Sequence, residues 1–399
     1  MKILVVNAGS SSLKFNVIEL PEQKELISGY FEKIGMEDSF YNVKINGAKT
    51  KHEVALKNHL DAVECLKKEL FENNIIKDLS EIDGVGHRLV HGGDKFKDSV
   101  LLTDEVIEEC KQFNDLAPLH NPAMLACINA FKSAMPDTPM VGVFDTSFHQ
   151  TMPIENFLYS VPYSWYTEYK IRKYGFHGTS HKYITKVMKE KLGKENINII
   201  SCHVGSGGSL CCVKDGLSYD TTMGFSPNAG ITMGTRCGDI DYSIIKYYAA
   251  KTGLTLDEID LILNKQSGLL GISGVSSDHR DIEAAMDEGN ERAELANEIY
   301  VQKVANYIAE YYLKLDGNVD AVVLTAGTGE NARSFRKDLL NKLHGLGIYL
   351  DEAANEEIAG FKDKHEGIIS TKDSKIPVYV VPTNEELMIA LDTFNIINK

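Results

Sequence analysis

One pattern constrains this chain more than any other: a β-rich run, a Gly/Ser tip and a second β-rich run, written twice. The first copy is Ile3-Leu4-Val5-Val6, then Asn7-Ala8-Gly9-Ser10-Ser11-Ser12, then Leu13 to Ile18. The second is Ile197 to Cys202, then His203-Val204-Gly205-Ser206-Gly207-Gly208-Ser209, then Leu210 to Val213. Each reads as a β-hairpin. Gly permits positive φ, so successive N–H groups can face one point and hold a phosphate, with Ser hydroxyls as further donors. A single copy reads equally well as an ordinary Gly/Ser hairpin. Two copies roughly 200 residues apart imply two related domains, each presenting a hairpin to a shared cleft.

Composition enters as a limit on partners. The 399 residues suffice for two or three domains with real cores, at 43% hydrophobic and 25% charged residues. A formal charge of −15 disfavours nucleic acid and anionic membrane, and a polyanionic ligand then needs locally clustered Arg and Lys. Seven cysteines without a C-x-x-C pair argue against a disulfide framework or zinc ribbon and for reduced thiols in a cytosol. The apolar run after Met1-Lys2 is too short for a signal peptide, and no stretch approaches the ~18–20 residues needed to cross a bilayer. The expectation is a cytoplasmic protein.

Along the chain, Leu60, Val63, Leu66 and Leu70 form a helical stripe, and Asn46-Gly47 is a hairpin turn. Ile82 to Val90 reads as a strand leading into His91-Gly92-Gly93-Asp94. Thr103 is expected to cap a helix, as is Asn121 with Pro122 in its first turn. Pro139 to Phe144 is a buried strand ending in Asp145, where ligands gather in α/β folds. Thr151-Met152-Pro153 reads as a crossover between domains, and Ser180 as the cap of a helix ending near Gly193. Tyr219 to Asp241 carries Gly224, Gly230, Gly234 and Gly238 with Arg236, which suggests a loop wrapped round a ligand. Val301, Val304, Ile308, Tyr311 and Leu315 mark a long helix. Val319 to Thr325 is a strand running into Gly327 to Asn331, and Thr383 to Glu386 reads as a capping box before the terminal helix.

Several constellations carry chemistry beside a plainer reading. Arg88, at a strand end, is either a surface cation or a fork for a carboxylate or phosphate. Asp145 is either a helix cap or a charged site group. Gly327 to Asn331 can cradle a phosphate, as many short Gly motifs can. The pairs His87/His91 and His177/His181 have H-x-x-x-H spacing but lack the Glu of a zinc helix, and Gly and β-branched residues interrupt any helix there.

Longer motifs identify a family. Asn7 to Phe15, Gly86 to Gly93, Leu116 to Pro122, Phe144 to Gln150, Tyr174 to His181, Met233 to Arg236 and Thr383 to Glu386 closely resemble the acetate kinase family, in order and over essentially the whole chain. The resemblance implies an α/β fold of two related actin-like ATPase (ribonuclease H-like) domains, each a mixed β-sheet flanked by helices, with an interdomain cleft. It implies an N-terminal domain of residues 1–150 plus 382–399 and a C-terminal domain of residues 151–381, paired as a homodimer. Catalysis falls to Asp145, His177 and Arg236. Arg88 is expected to hold acetate, with Val90, Leu119, Phe176 and Pro227 around its methyl group and His120 nearby. ATP or ADP is expected at Lys14, His203, Val204, Gly205, Ser206, Gly207, Asp278, His279, Arg280, Gly327, Thr328, Gly329, Glu330 and Asn331. Magnesium, which manganese can replace, is expected near Asn7 and Glu385.

The sequence departs from that family in three places. Ser206 stands where the family usually has Asn, Thr328 where it usually has Ile, and Cys237 where Ser commonly follows the catalytic Arg. These suggest altered phosphate affinity, relaxed base selectivity and a reactive thiol with a lowered pKa, respectively. The near alternative is a propionate kinase, because one methylene is worth only ~0.8 kcal/mol in an apolar pocket. A sugar or glycerol kinase would need polar groups in place of Val90, Leu119 and Phe176. An actin-like switch ATPase would not need Arg88.

Overall fold

A computed structural model describes residues 1–116 and 120–399, and the chain divides into two compact units. The first comprises Met1–Phe148 and Asn384–Lys399, the second His149–Thr383.

The first unit is built on eight strands: β1 (Lys2–Ala8), β2 (Ser12–Glu19), β3 (Lys24–Glu32), β4 (Phe40–Ile45), β5 (Ala48–Glu53), β6 (Ile82–Leu89), β7 (Val100–Leu101) and β8 (Met140–Phe144). They lie in the order β5-β4-β3-β2-β1-β6-β8-β7. The leading hairpin pairs β1 with β2 from Lys2↔Glu19 to Ala8↔Leu13, and Gly9 N–H closes the turn on the Ser12 carbonyl at 2.8 Å. β1, β6 and β8 run parallel, so their carboxyl ends emerge together. Alternation along β6 divides its faces. The His87 ring meets Phe131 of helix Asn121–Ala134. Gly84 and Gly86 face Ile389, Thr393 and Ile397 of helix Glu385–Ile397 instead.

The second unit holds six strands: β9 (Ile199–Val204), β10 (Gly208–Lys214), β11 (Leu217–Thr221), β12 (Ala321–Thr325), β13 (Gly367–Ile368) and β14 (Val378–Val380), in the order β11-β10-β9-β12-β14-β13. Its pairings repeat those of β3-β2-β1-β6-β8-β7: two antiparallel, two parallel, then one antiparallel. The duplication seen in the hairpins therefore extends over six strands of each sheet.

Helix His59–Glu72 buries Val63, Leu66 and Leu70, while Leu60 of the expected stripe is exposed. Thr103 caps helix Asp104–Lys111, and Asn46 and Gly47 adopt the positive φ of their hairpin turn. Three expected caps move. His120 rather than Asn121 precedes helix Asn121–Ala134, because the Asn121 amide is buried and donates to the His91 and Phe113 carbonyls. His177 rather than Ser180 precedes helix Gly178–Leu192, so the His177/His181 spacing does fall on a helix start. Asn384, whose side chain accepts from Leu387 N–H, replaces the box expected at Thr383. The stretch Ala326–Asn331 is itself helical rather than a loop before a helix. No helix among the described residues is long and apolar enough to cross a membrane.

Candidate active site

In the first unit, three parallel strands deliver polar side chains at neighbouring ends: Asn7 from β1, Arg88 from β6 and Asp145 just past β8. Arg88 forks onto Asp145, with Nε donating to Oδ1 at 2.9 Å and Nη2 to Oδ2 at 2.6 Å, while Nη1 donates to Asn7 Oδ1 at 3.3 Å. Asp145 is almost fully enclosed, and its charge holds the Arg88 guanidinium more firmly protonated against the cost of burial. Three of the five guanidinium N–H donors are used in these bonds, which leaves one on each terminal nitrogen.

Glu385, the first residue of the terminal helix, belongs to this group through its charge. Burial raises its carboxyl to about 7, with Arg88 acting the other way and Asp145 adding to the rise. Its Oε1 is buried without a hydrogen-bond partner. Lys14 is exposed on β2 opposite Asn7 and Val90 is half-buried, while His120 is exposed before its helix. Leu119 lies outside the described residues.

In the second unit, the tip of the β9–β10 hairpin gathers the phosphate-side residues. A methyl group placed on Gly207 would lie 3.4 Å from Arg236 Nη1 and 3.7 Å from His177 Nε2, so both side chains border the tip. His177 has φ +56°, the left-handed region that a non-glycine residue rarely occupies outside functional or strained sites. Its ring stacks on His203 at 4.1 Å between centroids. Arg236 donates to the Pro227 carbonyl at 3.1 Å, and burial lowers its guanidinium pKa. Phe176 is buried, its carbonyl accepting from His149 Nε2 at 3.0 Å.

Beside that tip lies a cavity of about 830 Å³ lined by Gly205, Ser206, Asp278, His279, Arg280, Gly327, Thr328 and Asn331 among others. Asp278 caps helix His279–Asp287 and is forked by Arg280, which pulls its carboxyl down to about 2. The same wall includes Glu283, Tyr300, Arg333 and Lys337, which motif reading missed. Tyr300 sits in the helical stripe of Glu291–Lys314 and looks like core from its spacing alone.

Not every expected nucleotide residue reaches the cavity wall. Val204 is fully buried in β9, and His203 donates to or accepts from Ser180 at 2.8 Å. The Glu330 carboxylate accepts from the backbone N–H groups of Ala326 at 2.7 Å and Thr383 at 3.0 Å, a structural role. Gly329 is buried under Leu324. Cys237 departs from expectation: the thiol pKa is raised, since burial outweighs hydrogen bonds that favour the thiolate.

The family profile of the Acetokinase family matches residues 2–391. An acetate kinase from Geobacillus sp. (strain WCH70) is 50% identical over 399 residues, covering 100% of this chain and 99% of that relative. The crystal structure of Porphyromonas gingivalis acetate kinase superposes with a TM-score of 0.94 at 42% identity, covering 100% of both chains. A propionate kinase from Francisella tularensis subsp. tularensis SCHU S4 gives 0.92 at 41% identity over 99% of each chain. The two mixed sheets with their helices are those of the actin-like ATPase fold, and the chain belongs to the acetokinase family.

Proposed function

We propose that this chain transfers the γ-phosphoryl group of ATP reversibly to acetate, giving acetyl phosphate and ADP. The observation that carries this reading is the full-length similarity to acetate kinases at half identity. The residues supply a matching chemistry. Arg88 holds the acetate carboxylate through its two remaining terminal N–H donors, and the family resemblance assigns Val90, Leu119, Phe176 and Pro227 to the acetate methyl group. Acetate is already ionised at neutral pH, so no general base is needed. Its oxygen attacks phosphorus in line as the bond from phosphorus to the ADP oxygen breaks. His177 and Arg236 offset charge growing on the equatorial oxygens. Asp145 orients Arg88 and the attacking carboxylate, and His120 stands by the acyl end. The cavity residues of the second unit hold ATP, and the family resemblance assigns Lys14 to the same ligand.

Magnesium is part of this reading, with manganese as a substitute. The donors available are oxygens, at Asn7, Asp145 and Glu385, and the orphaned Glu385 Oε1 suits a hard cation. Among the described residues no three His, Cys, Asp or Glu side chains form a metal cage. When bound, magnesium would neutralise phosphate charge; this chain's residues position it.

A homodimer in the cytoplasm completes the reading. Trp165, Tyr169, Tyr242, Ile244, Tyr247 and Leu256 expose an unusual amount of apolar surface on the second unit, of the kind that another copy covers. The reading is tested by trapping acyl phosphate with hydroxylamine in the presence of ATP, magnesium and acetate, propionate, butyrate or glycerol. Hydroxamate strongest with acetate and lost in Arg88→Ala is expected. Hydroxamate strongest with propionate, a reading favoured by the similarity to the Francisella structure, would change the substrate. ADP without hydroxamate from any acid would overturn the reaction and favour a switch ATPase.

A further inference from the structure

Behind His177, the interior of the second unit contains a line of hydrogen-bonded polar side chains. His177 Nδ1 is 2.9 Å from Ser209 Oγ. The same oxygen is 2.9 Å from His181 Nε2, and His181 Nδ1 is 2.9 Å from Ser201 Oγ. Ser201, Ser209 and His181 have no solvent exposure. Their placement follows from the fold: Ser201 on β9 and Ser209 on β10 share a sheet face, and helix Gly178–Leu192 lays His181 across it.

We propose that Ser201, His181 and Ser209 are positioning residues that fix the tautomer of His177, so that its Nε2 carries the proton. The proposal rests on the reading of His177 as the group that meets the transferring phosphoryl.

Hydrogen-bond accounting decides the direction of the line. Ser209 is fully buried between two rings, and its single O–H finds an acceptor only if it donates to one ring and accepts N–H from the other. If His177 Nδ1 donated, Ser209 would donate to His181 Nε2, and His181 Nδ1–H would donate to Ser201. The Ser201 hydroxyl proton would then be buried without an acceptor, because His181 Nδ1 is the one side-chain partner its Oγ has among the described residues. In the opposite direction every proton has a place. Ser201 O–H donates to His181 Nδ1, His181 Nε2–H donates to Ser209 Oγ, and Ser209 O–H donates to His177 Nδ1. His177 is left with Nε2–H on the edge that borders Gly207 and Arg236. A lone pair there would repel a phosphoryl oxygen, whereas an N–H donates to it. Burial, reinforced by His149 and His203, pushes the His181 pKa well below its ordinary value, which keeps that ring neutral as the order requires.

The test is a long-range proton–nitrogen correlation spectrum of the full-length enzyme labelled with nitrogen-15 histidine, the His177 signals being assigned by their absence in His177→Gln. His177 is expected to show a protonated Nε2 and an unprotonated Nδ1. In Ser209→Ala the two tautomers mix and kcat falls about tenfold or more, with the KM values for ATP and acetate within about twofold of wild type. Ser209→Thr, which keeps the hydroxyl, restores the tautomer and most of kcat. Ser201→Ala loosens the His181 tautomer with a smaller loss of kcat. A protonated Nδ1 on wild-type His177 overturns the proposal, as does an unchanged tautomer and kcat in a folded Ser209→Ala. The two readings fail separately: full activity in His177→Ala removes the catalytic role on which the proposal rests. A Nδ1-protonated ring in an enzyme that needs His177 removes the positioning line alone.

Discussion

His87 shows how a single buried residue sets a property of the whole fold. Its ring is enclosed in β6 edge-on to Phe131, and its Nε2 has no hydrogen-bond partner. Burial pushes its pKa down to about 3. Below pH 6.5 the unfolded chain takes up a proton that folded His87 refuses. Stability is therefore complete above that value and falls with acid by about 1.4 kcal/mol per pH unit until about pH 3. His91 and His149, both pushed down to about 4 by burial, add to the trend. Urea unfolding at pH 7 and pH 5 should show a smaller loss in His87→Leu than in wild type, by about 2 kcal/mol. Equal losses would mean that His87 is not buried neutral. At this scale the sequence was readable where chemistry coincides with a strand end, as at Arg88 and Asp145. It was not readable where burial decides. Cys237 stands next to a cation in sequence, but its thiol answers to desolvation and not to that neighbour.

The segment after β12 shows what happens to such inferences one level up. Gly327 to Asn331 looks like a phosphate loop because its residues are small and polar, yet it winds as a short helix directly from the strand. Ala326 takes φ +65° to make that turn. The Glu330 carboxylate accepts the N–H groups of Ala326 and Thr383, and the buried Arg336 donates to the carbonyls of Glu330, Asn355 and Ile358. Neither residue has a signal in the local sequence, because their partners lie far along the chain. Glu330→Ala leaves two part-buried backbone donors without their acceptor, which costs roughly 1–3 kcal/mol. It should also raise the KM for ATP several-fold, since Gly327 and Thr328 lose their support, while the KM for acetate changes less. Thermal denaturation and steady-state kinetics check both parts; a stable variant with an unchanged KM for ATP would show that the segment holds itself. The hairpins were legible for the opposite reason. Their turns, strands and tips are all local, whereas the caps at His120, His177 and Asn384 were decided by tertiary bonds to the residues first assigned.

On the scale of the whole molecule, the sheet topology is written twice but the chain does not simply run through one unit and then the other. It leaves the first after Phe148 and returns at Asn384, so the last helix completes a core begun at the N-terminus. That helix is fitted to its place. A side chain on Gly86 would strike Thr393 Oγ1 at 2.3 Å and Ile389 Cγ2 at 2.7 Å, so β6 is bare where the helix rests. Leu387, Met388, Ile389, Ala390 and Thr393 are buried, and Ser99 donates to Asp392 Oδ2 at 2.7 Å. Hydrophobic patterning reveals this helix, but nothing local says which sheet it covers. Burial of its larger apolar side chains contributes about 1.5–3 kcal/mol each, and together they rival the ~5–15 kcal/mol that keeps a whole domain folded. A chain ending at Thr383 should therefore lose structure in residues 1–148, while β9, β10 and β12 of the second unit, with their own helices and core, stay protected. Hydrogen exchange followed by mass spectrometry distinguishes the two regions, and a peptide of residues 384–399 added to the shortened chain should restore protection in β1 and β6. Retained protection of those strands without the peptide would place the core of the first unit elsewhere. Uniform loss across both units would show that the second cannot stand without the first, despite carrying a sheet of its own.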